Sequence, residues 1–333
     1  MKIIIPMAGR GSRLRPHTLT TPKPLIPIAG KPMVQRLVED LSAGISEKVT
    51  DIAFIIGDFG KQVETDLLEV AKSLGAKGHI FHQTAPLGTA HAILCAESVL
   101  DGKCIIAFSD TLFRANFNFN LEEDGIIWVQ KVEDPRAFGV VKTNDDGVIT
   151  DFIEKPETFV SDMAIVGIYY FKKSEDLKRE LRYLLDNDIK EKGEYQLTNG
   201  LEALKAKGFK FKPAFIEEWL DCGNKQAVLH TNTRFLDFKE ENMVSKDIVL
   251  ENAVIIPPCY IGTNVRIKNS VVGPFVSIGN NSEVSQSVIQ RSLVQGDTKI
   301  ENANLDNSMI GKLVNYEGSA ADISIGDFSA YKS

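Results

Sequence analysis

From Ile255 onward the apolar residues keep a spacing that no helix and no ordinary strand can use. Ile255, Ile261, Ile267, Val272, Ile278, Val284, Ile289, Val294, Ile300, Leu305 and Ile310 follow one another at intervals of six or five. A helix repeats about every 3.6 residues and a strand every two. An apolar residue at every fifth or sixth position suits a chain wound into stacked coils, each burying its inward residue against the next. That is the signature of hexapeptide β-helix repeats. Glycines follow several of these positions (Gly262, Gly273, Gly279, Gly311). The pattern sets in after about Asp247 and stops after Glu317, so residues 317–333 stay unassigned.

The first half of the chain reads differently. "KIIIPM" is an apolar strand, and "KPMVQRLVEDLSAG" places Val34, Leu37, Val38 and Leu41 at helical spacing before a closing glycine. "DIAFIIG", "KQVETDLLEVAKSLG", "HIFHQ", "TAHAILCAESVL", "CIIAFSD" and "GIIWVQKV" continue the alternation of strand and helix. Apolar strands separated by helices imply a mostly parallel sheet covered on both faces. Ligands of such sheets bind beyond the carboxyl ends of the strands, which directs attention to the loops after Ile5, Gln83 and Phe108. From Phe138, "FGVVKTNDDGVITDFIEKP" reads as a hairpin closed by Asp-Gly, and "AIVGIYYF" as a further strand. Helices are expected at about 175–187 and 196–207, then a strand "FKFKPAF" and a helix leaving the domain over "NKQAVLHTNTRFLDFKEEN". The expected division is therefore a first domain over 1–240 and a β-helix domain with its tail over 241–333.

Charge narrows the class. The first 38 residues hold seven basic side chains and no acidic one, in a chain of formal net charge −7. A local basic site on an acidic body suits a small anionic ligand rather than a nucleic acid. No apolar stretch is long enough to span a bilayer, and "MKIIIPMAG" is too short for a secretory core, so a membrane partner is not expected. The four cysteines (Cys95, Cys104, Cys222, Cys259) show no CxxC spacing, which suits reduced thiols and a cytoplasmic location. The five histidines form no ligand-spaced pair and read as structural, the alternative for His91, on the helix after the Gln83 loop, being contact with the ligand.

The basic stretch is "MAGRGSRLRPHTLTTPKPLIPIAGKP". It is no dinucleotide fingerprint, because Leu14 stands where the third glycine belongs and no acid follows at the required distance. It is no P-loop, because Gly30–Lys31 is followed by Pro32. What remains is a turn of small residues whose backbone N–H groups can approach phosphate, flanked by Arg13 and Lys23. The proline-rich segment after it should be extended rather than helical, holding Lys23 in a fixed place.

These residues resemble the G-x-G-[TS]-R-L-x-P-x-T…P-K-P signature of the sugar-1-phosphate nucleotidyltransferases. Over roughly residues 1–240, "QTAPLGTAHAILCA", "FSD", "FGVV", "IEKP", "AIVGIYY", "GEYQLTN" and "WLDCGNK" are similar to further family motifs and occur in the expected order. The hexapeptide tail resembles that of long-form members, where a coil takes about eighteen residues, so roughly four coils fit. The fold implied is a Rossmann-like, mostly parallel sheet followed by a short left-handed parallel β-helix. The reaction implied is attack of a sugar 1-phosphate on the α-phosphorus of a nucleoside triphosphate, releasing pyrophosphate, with Mg²⁺ as cofactor.

By the same resemblance, Arg13 and Lys23 carry catalysis, and Ala8, Gly9, Arg10, Gly11, Ser12, Gln83, Gly88 and Thr89 bind the nucleotide. Gly139, Glu154, Lys155 and Gly167 bind the sugar phosphate, and Asp110 and Asp221 hold the metal. An amide at Gln83 can match the N3–H and O4 edge of uracil or thymine, whereas guanine-using members tend to carry Glu at this place. Transfer from UTP or dTTP to glucose 1-phosphate is therefore the expected reaction. The alternatives are an enzyme of the mannose-1-phosphate guanylyltransferase type and a non-catalytic sugar-nucleotide-binding subunit. Ser12 replaces the more usual Thr, and Ala8 and Arg10 stand where thymidylyltransferases often have glycine and serine. A homo-oligomer is expected. The tail from Asp247 contains no histidine, which speaks against a second, acyl-transferring activity there.

Overall fold

The computed structural model describes residues 1–9, 11–115, 119–238 and 243–319; Arg10 and the unassigned tail from residue 320 lie outside them. Compactness divides the chain into one unit of Met1–Ile26 with Lys31–Ala227 and a second of Pro27–Gly30 with Val228–Ser333. The division therefore cuts the helix Lys225–Phe238 rather than following it.

The first unit is built on a nine-stranded sheet. Along its main path the strands run Ile149–Glu154, Gly139–Thr143, Met163–Phe171, Cys104–Ala107, Lys2–Pro6, Asp51–Ile56 and Lys77–His82. The last four pair in parallel, with Lys2 opposite both Asp51 and Cys104, and Asp51 opposite Lys77. Beyond Cys104–Ala107 the sheet turns antiparallel at Met163–Phe171, which also pairs with Gly125–Lys131. Helices α1 (Met33–Gly44), α2 (Lys61–Ser73), α3 (Thr89–Leu94), α4 (Ser174–Asp186) and α5 (Leu197–Ala206) accompany it.

Why the sheet is covered on both faces follows from its period of two. Ile4 joins Ala53, Ile55 and Ile106 in one core cluster with Ile93, Leu177, Leu181, Leu201 and Leu204 from α3, α4 and α5. Ile3 and Ile5 point the other way and are equally inaccessible. Helix α1 buries Val34, Leu37, Val38 and Leu41, the stripe expected from the sequence.

Two local readings need correction. The helix expected over "TAHAILCAESVL" ends at Leu94, and a 3₁₀ turn follows at Glu97–Val99. The Cys95 N–H is shared between the His91 and Ala92 carbonyls, and Ala96 N–H bonds Ile93, so the coil has already tightened to i−3 spacing. The proline-rich segment is not wholly extended either, for Lys23–Leu25 forms a 3₁₀ turn. Pro24 is tolerated there because the first turn of a helix needs no N–H from it.

The second unit stacks short parallel strands into three sheets, consistent with a left-handed parallel β-helix. Ile267 lies in register with Val284, and Val284 with Ile300. A coil therefore takes 17 residues and later 16 rather than eighteen, as the stacked polar pairs Asn264–Asn281 and Asn281–Asp297 repeat. The five-residue intervals in the apolar pattern are these shortened sides. Ile261, Ile267, Val272, Ile278, Val284, Ile289 and Ile300 all point inward and are almost wholly buried. Asn252, Asn264, Asn269 and Asn281 adopt positive φ between strands, a conformation asparagine tolerates better than most residues. No helix of the described residues is long and apolar enough to cross a membrane.

Candidate functional site

A cavity of about 380 Å³ opens in the first unit beyond the carboxyl ends of the parallel strands. All three loops singled out from the sequence line it. Met7, Ala8, Gly9, Gly11, Ser12 and Arg13 come from the first, Gln83, Gly88 and Thr89 from the second, and Phe108, Ser109 and Asp110 from the third. The strands hold these loops by their last hydrogen bonds: Met7 N–H to Ile55 O at 2.8 Å and Gln83 N–H to Ile56 O at 2.9 Å.

The glycine-rich loop leaves its strand and closes a 3₁₀ turn, Ser12–Leu14, capped by Gly11 in the left-handed conformation (φ 60). Thr18 Oγ1 donates to Gly11 O at 2.7 Å and pins the loop. A Cβ on Gly11 would sit 2.7 Å from Lys23 Cβ, so only glycine lets the Lys23 stem lie beneath the turn. The Lys23 side chain is 10% exposed and its Nζ reaches Asp110 Oδ2 at 3.0 Å, while the Asp110 side chain is 44% exposed and open to the cavity. Among the described residues the arrangement therefore pairs a nearly buried cation, Lys23, with an exposed one, Arg13.

On the second loop, Gly88 has φ 113, and a Cβ there would meet Tyr195 O at 2.5 Å and Tyr195 N at 2.8 Å. Tyr195 N–H donates to Leu87 O and Ala90 N–H to Tyr195 O, both at 2.9 Å, strapping residues 87–90 to the start of α5. Thr89 Oγ1 accepts from Leu197 N–H at 2.9 Å. The strap also brings Glu194 to the cavity wall, a residue the sequence reading passed over although it quoted "GEYQLTN". Its acidity in a quoted motif was the available signal. Burial lowers the pKa of His91, the α3 residue that pairs with Gln83.

The backbone at Asp110 and at Asp221 is brought side by side by an element that the sequence did not announce. Thr111–Arg114 and Glu218–Asp221 form a separate two-stranded antiparallel ribbon with Asp221 opposite Thr111, and Cys222 N–H donates to Asp110 O at 3.1 Å. Asp110 lines the cavity and Asp221 does not. A Cβ on Gly223 would lie 3.0 and 3.2 Å from the two Asp221 carboxylate oxygens, so glycine leaves that carboxylate a clear approach. Among the described residues no three His, Cys, Asp or Glu side chains converge as a metal cluster. Asp110 and Asp221 are hard carboxylates on adjoining backbone, the ligand type of which Mg²⁺ takes one or two from a protein and the rest from phosphate and water.

Gly139, Glu154, Lys155 and Gly167 do not line the cavity. Gly139 and Glu154 face each other across the hairpin, and Lys155 has positive φ with its Nζ 3.6 Å from Glu154 Oε1. Gly167 O accepts Phe108 N–H at 3.0 Å, tying its strand to the third loop. The Phe138 ring packs on Trp219 at 4.9 Å, joining the hairpin to the ribbon that ends at Asp221. Arg10 lies outside the described residues.

The nucleotidyl transferase family model matches residues 2–237. The low-salt glycan biosynthesis nucleotidyltransferase Agl11 of Haloferax volcanii is 31% identical over 271 residues, 76% of this chain and 72% of that protein. A glucose-1-phosphate thymidylyltransferase of Streptomyces antibioticus is 30% identical, over 80% of this chain and 74% of its own. The catalytic subunit beta of a Drosophila pseudoobscura mannose-1-phosphate guanylyltransferase is 37% identical over 182 residues, 52% of this chain and 48% of its own. In fold, the chain resembles a crystal structure from Bacillus anthracis described as a candidate glucose-1-phosphate thymidylyltransferase. Their TM-score is 0.61 at 24% identity, covering 72% of this chain and 96% of that one. The chain belongs to the sugar-1-phosphate nucleotidyltransferase family.

Proposed function

We propose that the chain transfers a nucleotidyl group from UTP or dTTP to a sugar 1-phosphate, glucose 1-phosphate being the simplest acceptor, and releases pyrophosphate. The observation that carries this reading is the convergence of the glycine loop, Arg13, Lys23, Gln83 and Asp110 on one cavity. The attacking oxygen belongs to a phosphate monoester whose second pKa is about 6, so it is ionised at neutral pH and needs no general base. An oxygen of the sugar phosphate bonds the α-phosphorus as the bond to the β-phosphate oxygen breaks. What the protein supplies is approach of two polyanions and stabilisation of charge during in-line transfer.

In this account Ala8, Gly9, Arg10, Gly11 and Ser12 wrap the triphosphate, with Arg13 along the leaving pyrophosphate and Lys23 toward the α-phosphate. Gly88 and Thr89 shape the base side, where Gln83 meets the ring. Asp110 and Asp221 would hold Mg²⁺, which supplies charge neutralisation at the phosphates. Glu154 and Lys155 receive the sugar and its phosphate, with Gly139 and Gly167 allowing close approach. Residues 1–240 form the catalytic domain, and the β-helix domain with its unassigned tail, 241–333, serves self-association.

Guanylyl transfer is the second reading, favoured by the similarity to a guanylyltransferase subunit. Guanine presents two adjacent donors, N1–H and N2–H₂, which a carboxylate meets with two oxygens. Gln83 has one amide oxygen, which suits the single N3–H of uracil or thymine. Pyrophosphate exchange over a panel of triphosphates and sugar 1-phosphates tests the proposal. Exchange with UTP or dTTP, lost in Asp110→Asn, supports it. No exchange with any pair refutes it.

A further inference from the structure

Gln83 is gripped from two sides. Its Nε2 donates to Gly88 O at 3.2 Å and pairs with His91 Nδ1 at 3.0 Å. A carbonyl only accepts, so the amide nitrogen and not its oxygen must face Gly88. One hydrogen goes to each partner, and the NH₂ group is then exhausted. Oε1 takes no donor among the described residues, and Gln83 lines the cavity. His91 must accept at Nδ1 and so carries its proton on Nε2, the neutral tautomer that its burial also favours. Both partners are fixed by backbone: Gly88 by the hydrogen bonds that tie its neighbours Leu87 and Ala90 to Tyr195, and His91 by its place in α3.

We propose that His91 is a positioning residue for base selection, which locks Gln83 Oε1 as a lone acceptor toward the nucleobase. The base admitted is one whose facing ring nitrogen carries hydrogen. Uracil and thymine (N3–H) and guanine (N1–H) have that chemistry. Cytosine N3 and adenine N1 are acceptors and would meet Oε1 lone pair to lone pair. An amide free to turn over could offer NH₂ instead and accommodate them, and the second grip, on His91, is what prevents this. The inference rests on the reading that Gln83 meets the base. It sharpens the sequence expectation that the amide offers donor and acceptor together, because both donors are already engaged. A site built to receive a hydrogen bond from one ring position rejects, by factors up to about 10⁴–10⁵, a base whose atom there only accepts. Cytosine or adenine could donate from its exocyclic amine only by shifting out of that register.

The test is binding of UTP, dTTP, GTP, CTP and ATP, each with Mg²⁺, by calorimetry on the full chain. The wild type, His91→Ala, His91→Phe, His91→Asn and Gln83→Ala are compared. The wild type should bind its best N–H nucleotide at least about 100-fold more tightly than CTP or ATP. His91→Ala should cut that ratio at least tenfold. His91→Phe, which keeps bulk without an acceptor, should do the same if the alanine variant folds poorly. His91→Asn places an oxygen acceptor near the Nδ1 position and should restore the ratio to within threefold. The proposal is overturned if the folded alanine or phenylalanine variant weakens all five nucleotides equally, if asparagine fails to restore selectivity, or if the wild type favours CTP or ATP. Gln83→Ala separates the two levels. If it leaves the ratio unchanged, Gln83 does not read the base. If it lowers the ratio and the His91 variants do not, only the role of His91 falls.

Discussion

The ion pair of Lys23 and Asp110 predicts opposite stability effects for its two halves. Unit charges 3.0 Å apart attract by about 5 kcal/mol at an effective dielectric near 20 and by about 1.4 kcal/mol in water. Asp110 is 44% exposed, so the attraction is screened toward the lower figure, about 2 kcal/mol. Asp110→Asn removes it while leaving the Lys23 ammonium only 10% exposed, and should lower stability by about 1–2 kcal/mol. Lys23→Met removes the buried charge together with its desolvation cost and keeps an unbranched stem under Gly11. Stability should stay within about 0.5 kcal/mol of the wild type or rise. Catalysis should fall in both, by about 10²–10³ for Lys23→Met, the range for losing one fixed donor at a developing charge. Urea unfolding and kcat/KM for pyrophosphate release measure the two effects. The reasoning is refuted if Lys23→Met is destabilised as much as Asp110→Asn, or if it keeps activity within fivefold.

Gly88→Ala should cost about 2–5 kcal/mol in urea unfolding, because φ 113 suits only glycine and the new Cβ would press on Tyr195 backbone at 2.5 Å; a loss under 1 kcal/mol would contradict that packing. Ile278→Ala empties a fully buried inward position of the β-helix and should cost about 2–5 kcal/mol, read from thermal or urea denaturation. Burial pushes the Cys104 thiol up to about 12, so at pH 8 it is protonated and should react with a thiol reagent only after unfolding. Rapid modification of Cys104 in the native protein would refute its burial.

How much could be read in advance depended on whether a feature is periodic or relational. The inward residues from Ile261 to Ile300 were legible because a coil imposes its repeat on the chain, and α1 because a helix does the same. Coil length was misjudged, since one residue more or less in a connecting turn leaves the apolar pattern almost intact. The loops at the strand ends were legible from strand order, and they do meet at one cavity. The ribbon joining Thr111–Arg114 to Glu218–Asp221 was not, because each strand is four residues long and its partner lies far away in sequence. The grip of His91 on Gln83 was hidden for a different reason. It depends on the path through Gly88 at φ 113, which backbone bonds to Tyr195 hold from a distant segment. His91 accordingly read as structural, although it bears on the amide at the cavity wall.

Following phosphorus labels through one turnover tests nucleotidyl transfer most directly. The chain is given glucose 1-phosphate and either α-³²P- or γ-³²P-labelled UTP or dTTP with Mg²⁺, and the products are separated. The account predicts that the α label enters the sugar nucleotide and the γ label appears only in pyrophosphate, with both transfers lost in Arg13→Ala. Appearance of the γ label on the sugar or on the protein would mean phosphoryl transfer and would contradict it.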